Sequence, residues 1–136
     1  MKLMGFNFKK VSVEKFGNKS KEIKINSKID VPSMKEVNSD VFKIKEQLIS
    51  VDFDYIIDYA PDFAKIELSG VLVLALEPKL AKEVLKKWKD KEIPEDFKLN
   101  LFNLILKKSL IKALQIEDEM NLPLHIQLPF FKKQSE

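Results

Sequence analysis

The chain has 136 residues, of which 45% are apolar and 33% charged, and a net charge of +3. That balance fits one folded domain with its own core and excludes a disordered chain. The absence of cysteine excludes a disulfide framework and a thiolate metal site.

The first half reads as strands. Phe6 and Phe8, then Val11 and Val13, alternate in short runs. Ile23, Ile25, Ser27, Ile29 and Val31 fall on one face of a half-buried strand. Residues 32–40 read as a loop. In the next stretch Phe42, Ile44 and Leu48 share one phase, while Val51, Phe53, Tyr55, Ile57 and Tyr59 share the other, so a bulge is expected near Ile49 and Ser50. Ala60-Pro61-Asp62 is a turn signal. Beyond it Ala64, Ile66, Leu68, Gly70, Leu72, Leu74 and Leu76 alternate again, closing an antiparallel hairpin. The expected fold class is α+β, with a four-stranded antiparallel meander over residues 6–76 covered by a long C-terminal helix.

The period then changes to 3.6. Leu80, Ala81, Val84, Leu85 and Trp88 share one face of a short helix opened by Pro78 and broken at residues 91–93. Pro94, followed by Glu95 and Asp96, opens a second helix expected over 94–116. Phe102, Ile105, Leu106, Ala113 and Ile116 form its apolar face. Leu104 and Ile111 lie opposite, which predicts contact with another subunit, in a homodimer or homotetramer. Residues 121–131 form an apolar tail whose two prolines prevent a regular helix. Chain ends are normally polar, so this tail must dock on something.

Little here points to catalysis. There is one histidine, His125, so a multi-histidine metal site cannot be built, and a lone histidine in an apolar stretch reads as a packed or surface residue. Asp52, Asp54 and Asp58 share a strand face where carboxylates could hold a cation; the commoner reading is the solvated side of an antiparallel strand. Only three glycines are present, and no phosphate-cradling loop. The expectation is no enzyme, no cofactor and no metal. Lysines interleaved with Phe6, Phe8 and Phe16 raise a nucleic-acid alternative by base stacking. Against it, every basic residue is a lysine, which lacks the planar fork that reads phosphates and guanine edges. The longest apolar run, 71–76, falls far short of the ~20 residues of a membrane span, and no targeting segment is visible, so a cytosolic protein is expected.

The segment Leu122-Pro123, Leu124, Leu128, Pro129 and Phe130-Phe131, following a long helix that starts Asn100-Leu101-Phe102, resembles the SecB family of export chaperones. There the helix leads into a loop with an apolar-Pro pair, alternating leucines, a second proline six residues on and an aromatic. The resemblance implies an ATP-independent holdase, a homo-oligomer whose apolar grooves hold unfolded polypeptide and which serves export. It implies client-binding roles for Leu124, Leu128, Phe130 and Phe131; Trp88 and Phe102 are added by position alone.

Overall fold

The hairpin with the cleanest alternation forms the middle of the sheet. In a computed structural model that describes residues 1–17, 22–37 and 45–134, β1 (Lys2–Lys15), β2 (Lys24–Val37), β3 (Gln47–Ala60) and β4 (Ala64–Leu76) precede α1 (Pro78–Trp88) and α2 (Glu95–Glu119). β3 and β4 pair from Gln47↔Leu76 to Tyr59↔Ala64, around a turn with a cis Ala60–Pro61 bond and Asp62 at φ 43°. Their inward residues, from Ile49 to Tyr59 and from Ala64 to Leu76, are almost fully buried under the helices.

The α+β class holds, but the strand order corrects the expected meander. It is β1-β4-β3-β2, all antiparallel. Three strands follow one another, and β1 returns to lie beside β4 as in a Greek key. Alternation tells which face a residue takes and not which strand lies beside it. Two further expectations change. Residues 32–37 are strand and not loop; residues 38–40, with Phe42 and Ile44, lie outside the described residues. Pro32 is tolerated because it falls in a register shift between Asp30 and Ser33 of an edge strand, where its missing N–H breaks no ladder bond. No bulge occurs near Ile49 and Ser50, since β3 pairs without a shift there. Leu48 and Ile49 face opposite ways and both are buried, and this two-sided burial is what mixed the phases. The shifts sit in the edge strands instead, at Leu3/Gly5 and Phe8/Lys10 of β1 and Asp30/Ser33 of β2, where bulges blunt an open edge.

β1 is seated through Gly70. A Cβ there would lie 2.3 Å from the Asn7 carbonyl oxygen and 2.9 Å from the Phe53 ring. Because Gly70 leaves that space empty, the Phe53 ring crosses the β4 backbone and stacks on Phe6 of β1, with centroids 5.1 Å apart.

The helices divide the core in two. α1 contributes Ala81 and Val84, and α2 contributes Phe97, Leu101 and Ile105, to a cluster over Val31, Met34 and Ile49. Ala113 and Ile116 join Tyr55, Tyr59, Ile66 and Leu122 in a second. Ser109, fully buried with no hydrogen-bond partner, lies on α2 between them. The buried row of α2 thus recurs every four residues, 97-101-105-109-113. The expected apolar face coincides with this row only in part: Ile105 and Ala113 are on it, Ile116 is buried beside its end, Phe102 flanks it, and Leu106 is 37% exposed.

Gly70→Ala is expected to lower stability by about 1–3 kcal/mol, the usual range for an overpacked core. Amide exchange should quicken first in β1. Unchanged denaturation with unchanged exchange in β1 would show that the close approach at Gly70 does not seat that strand.

Candidate functional site

The first α-helical turns build a cleft. Residues 89–94 separate α1 from α2, and Lys91 takes a left-handed φ of 61° to turn the chain. This short link leaves the end of α1 and the start of α2 splayed over edge strand β2. The resulting cleft has a volume of about 1100 Å³ and an apolar floor of Ile29, Val31, Trp88, Ile93, Leu99 and Phe102. Its rim is charged: Asp30, Glu92, Glu95 and Asp96 against Lys87, Lys91 and Lys98. Two of these lysines lie over aromatic faces, Lys91 4.6 Å from the Trp88 ring centroid and Lys98 5.4 Å from that of Phe102, a favourable cation–π placement.

The edge of β2 is poorly suited to adding a strand. Pro32 has no N–H, and the Val31 N–H is taken by the Asp30 side chain at 3.1 Å. A ligand here would be held by its side chains more than by its backbone.

At the far end of α2 the chain is clasped. Asn121 takes the left-handed conformation (φ 55°) after the helix. The Leu122 N–H then bonds the Glu117 carbonyl at 2.9 Å and the Asn121 N–H reaches the Asp118 carbonyl at 3.4 Å, the pattern of a Schellman cap with asparagine in the glycine position. This stop turns residues 122–125 back onto the sheet, where Leu122 is buried. Glu117, with no exposed surface, is met from two sides. The Tyr59 hydroxyl donates to it and also lies 2.8 Å from the Pro123 carbonyl oxygen. His125 Nδ1 lies 2.9 and 2.8 Å from its two carboxylate oxygens, so that nitrogen carries a proton. The other ring nitrogen, Nε2, is 3.0 Å from the Tyr55 hydroxyl.

A hydroxyl, an imidazole and a carboxylate in line suggest an acid–base relay. Tyr55 is only 1% exposed, however, and the cleft does not reach it. The cluster binds the tail to the core. Burial, the larger cause, and the nearby Glu117 carboxylate both hold the Tyr59 hydroxyl far above the ordinary phenol pKa of 10.0. Burial also raises Tyr55, with a hydrogen bond to Ser27 pulling the other way.

Beyond the clasp the tail leaves the core. Leu124 is 38% exposed, Leu128 46%, Phe130 61% and Phe131 wholly so. The six expected client-binding residues are therefore divided: Trp88 and Phe102 meet in one cleft, whereas Leu124, Leu128, Phe130 and Phe131 belong to the segment that leaves the other end of α2, and none of them lines that cleft. Of the two expected interface residues, Ile111 is exposed, whereas Leu104 packs partly on its own core. Leu99 and Leu106 are exposed elsewhere on α2, with half-buried Phe102 between them. The sequence reading missed Glu117. Its signal was present: buried tyrosine hydroxyls at 55 and 59 and a lone histidine all need polar partners.

The alternatives are placed as follows. Phe6 and Phe8 face the helix-covered side and pack on Phe53, with Phe16 left 47% exposed, so they make no common stacking surface. Asp52, Asp54 and Asp58 share the other face of β3, where Asp54 accepts a hydrogen bond from Ser69 at 2.6 Å. Among the described residues no group of three or more such side chains is positioned to hold a metal ion, and no helix is long and apolar enough to cross a membrane.

His125→Ala strands Glu117 inside the protein, and a loss of about 3–5 kcal/mol is expected, as for any buried pair cut on one side. His125→Ala with Glu117→Leu should recover most of it, because the stranded charge is gone; a double variant as unstable as the single would refute the pairing. The tyrosines make a second, pH-based check. Their folded pKa values are raised, so stability is full below pH ~10 and falls above it, where only the unfolded chain ionises them. Tyr55 and Tyr59 are the chain's only tyrosines. Tyrosinate absorbance on alkaline titration should therefore rise together with loss of helix, and a rise in the still-folded protein would show the hydroxyls to be accessible.

Comparison of the chain with protein-family models, with curated proteins and with solved structures found no match.

Proposed function

We propose that this protein is an ATP-independent holdase that keeps apolar segments of unfolded polypeptide from aggregating. One observation carries the reading: the cleft over β2 joins Trp88, Phe102 and Leu99 to an exposed stripe on α2 that continues to Leu106. Contiguous apolar surface of this kind marks an interaction site on a soluble domain. Its floor mixes two aromatics with branched aliphatics and has few fixed hydrogen-bonding groups, which suits many apolar sequences and selects none.

The order of elements, four strands and then a long helix leading into an apolar, proline-marked tail, supports the same reading, since it is the order that the resemblance to export chaperones implies. A role in export and assembly into a homodimer or homotetramer are parts of the proposal. Such assembly would multiply weak contacts along one client into useful avidity. The nucleic-acid alternative is the weaker one, as its stacking aromatics pack on the core.

The test is light scattering from a reduced, unfolding client protein without nucleotide. Near-stoichiometric amounts of this protein should suppress aggregation, and Trp88 emission should shift as client binds. Leu99→Ser with Phe102→Ser, both on the cleft and at least partly exposed, should weaken suppression by about tenfold, equivalent to ~1.4 kcal/mol of lost apolar contact. Full aggregation in the presence of the native protein would end the holdase reading.

A further inference from the structure

The cleft and the tail are complementary, and the geometry points to the tail of one copy, residues 128–133, occupying the cleft of a second copy. The two surfaces do not meet within one chain: none of residues 128–133 lines the cleft. The clasp fixes His125 against Glu117, and Glu117 lies about 22 Å along α2 from Phe102 at 1.5 Å per residue. Fully extended at ~3.4 Å per residue, the chain from His125 reaches only about 10 Å by Leu128 and about 20 Å by Phe131. Leu128 therefore cannot enter its own cleft while clasped, the later residues would reach its near edge only at full extension, and in the isolated chain Phe130 and Phe131 remain in solvent.

Charge favours a basic apolar segment such as the tail, because the rim carries Asp30, Glu92, Glu95 and Asp96 against Lys87, Lys91 and Lys98. Lys132 and Lys133 directly follow the two phenylalanines. Glu92, Glu95 and Asp96 on the rim have no ion-pair partner among the described residues. Lys91 and Lys98 lie over the cleft aromatics and form no ion pair with these carboxylates. Lys132 lies 5.7 Å from the Phe130 ring centroid, so the tail presents an aromatic with an adjacent cation to an apolar cleft whose rim carries four carboxylates against three lysines. Two copies exchanging tails satisfy both clefts at once, giving a closed, reciprocal dimer.

The consequence is regulation: the tail is a built-in competitor that covers the cleft until a client displaces it. This regulatory part rests on the client-holding reading above, whereas the docking of tail in cleft does not.

Trp88 is the chain's single tryptophan and lines the cleft, so it reports occupancy directly. The experiment follows solution mass by sedimentation together with Trp88 emission, over a range of concentrations, for the native chain and for F130A/F131A. Both replaced side chains are exposed, and circular dichroism checks that the fold persists. The native chain should pass from monomer to dimer with a matching blue shift. The variant should associate at least about tenfold more weakly, as when two aromatic anchors are lost. A synthetic peptide of residues 128–136 should restore the blue shift to the monomeric variant and dissociate the native dimer. K132E/K133E should weaken the dimer, and added salt should do the same.

Equal mass and emission in native and variant chains would overturn the inference, as would a native dimer that the peptide leaves intact. In the client assay the variant should suppress aggregation at lower concentration than the native chain. If neither protein holds clients but the tail-dependent shift persists, the holdase reading fails and the docking stands. If the variant loses client holding and the native mass and emission prove independent of the tail, the docking fails and the tail is itself client surface.

Discussion

A carboxylate with no exposed surface must have its charge and its lone pairs met inside the protein, and Glu117 is the point on which the second half of the structure turns. Its partners come from two places: Tyr59 from the core face of β3 and His125 from the tail, with His125 in turn bonded to the hydroxyl of Tyr55, also on β3. Meeting that one requirement registers α2 along the sheet, stops the helix at Asn121 and folds residues 122–125 back on the core. The apolar alternative, a leucine at 117, would bury as much surface without dictating where the tail goes. A polar cluster of this sort adds direction to a core that hydrophobic burial alone would leave free to slide.

With its C-terminal end held in this way, α2 acts as a spacer. Its other end rests with α1 over edge strand β2, and the 25-residue length of the helix keeps the cleft and the free part of the tail apart. The helix has one buried row and exposed apolar residues beside it, so it is satisfied by its own sheet only in part. The same element thus supports the core, carries part of the apolar surface and sets the distance between the clasp and the cleft.

Much of this was legible in the residues, and what was not has a physical explanation. The β3–β4 hairpin was plain because both strands alternate strictly over a sheet face that helices cover, and Ala60-Pro61-Asp62 separates them. The helices were plain because Pro78 and Pro94 mark their starts and the period changes at once. Strand order was not, since the interaction that seats β1 on β4 is an absence of a side chain, at Gly70. Pro32 misled because an edge strand accepts a proline that an inner one would reject. Leu48 misled because both faces of β3 are buried at that end. Trp88 and Phe102, singled out by position on two consecutive helices, do line one cleft. That Leu104 packs partly on its own core was not legible, because a helical wheel does not show that α2 is partly covered on its flank. Glu117 was hidden because its partners lie on other elements, 58 residues back at Tyr59 and 8 residues ahead at His125.

The Greek-key order also has a meaning in time. β1 is made early, yet its partner strand is completed last: Lys2 pairs with Ala75, about 70 residues later. At ordinary rates of translation that is a wait of roughly 4–15 s. Over that interval an extended segment carrying Leu3, Phe6, Phe8, Val11 and Val13 has no strand to join. Its pattern is that of an unfolded, apolar polypeptide leaving the ribosome. Each new copy of this protein is, for some seconds of its own synthesis, the kind of molecule that its finished fold is proposed to hold.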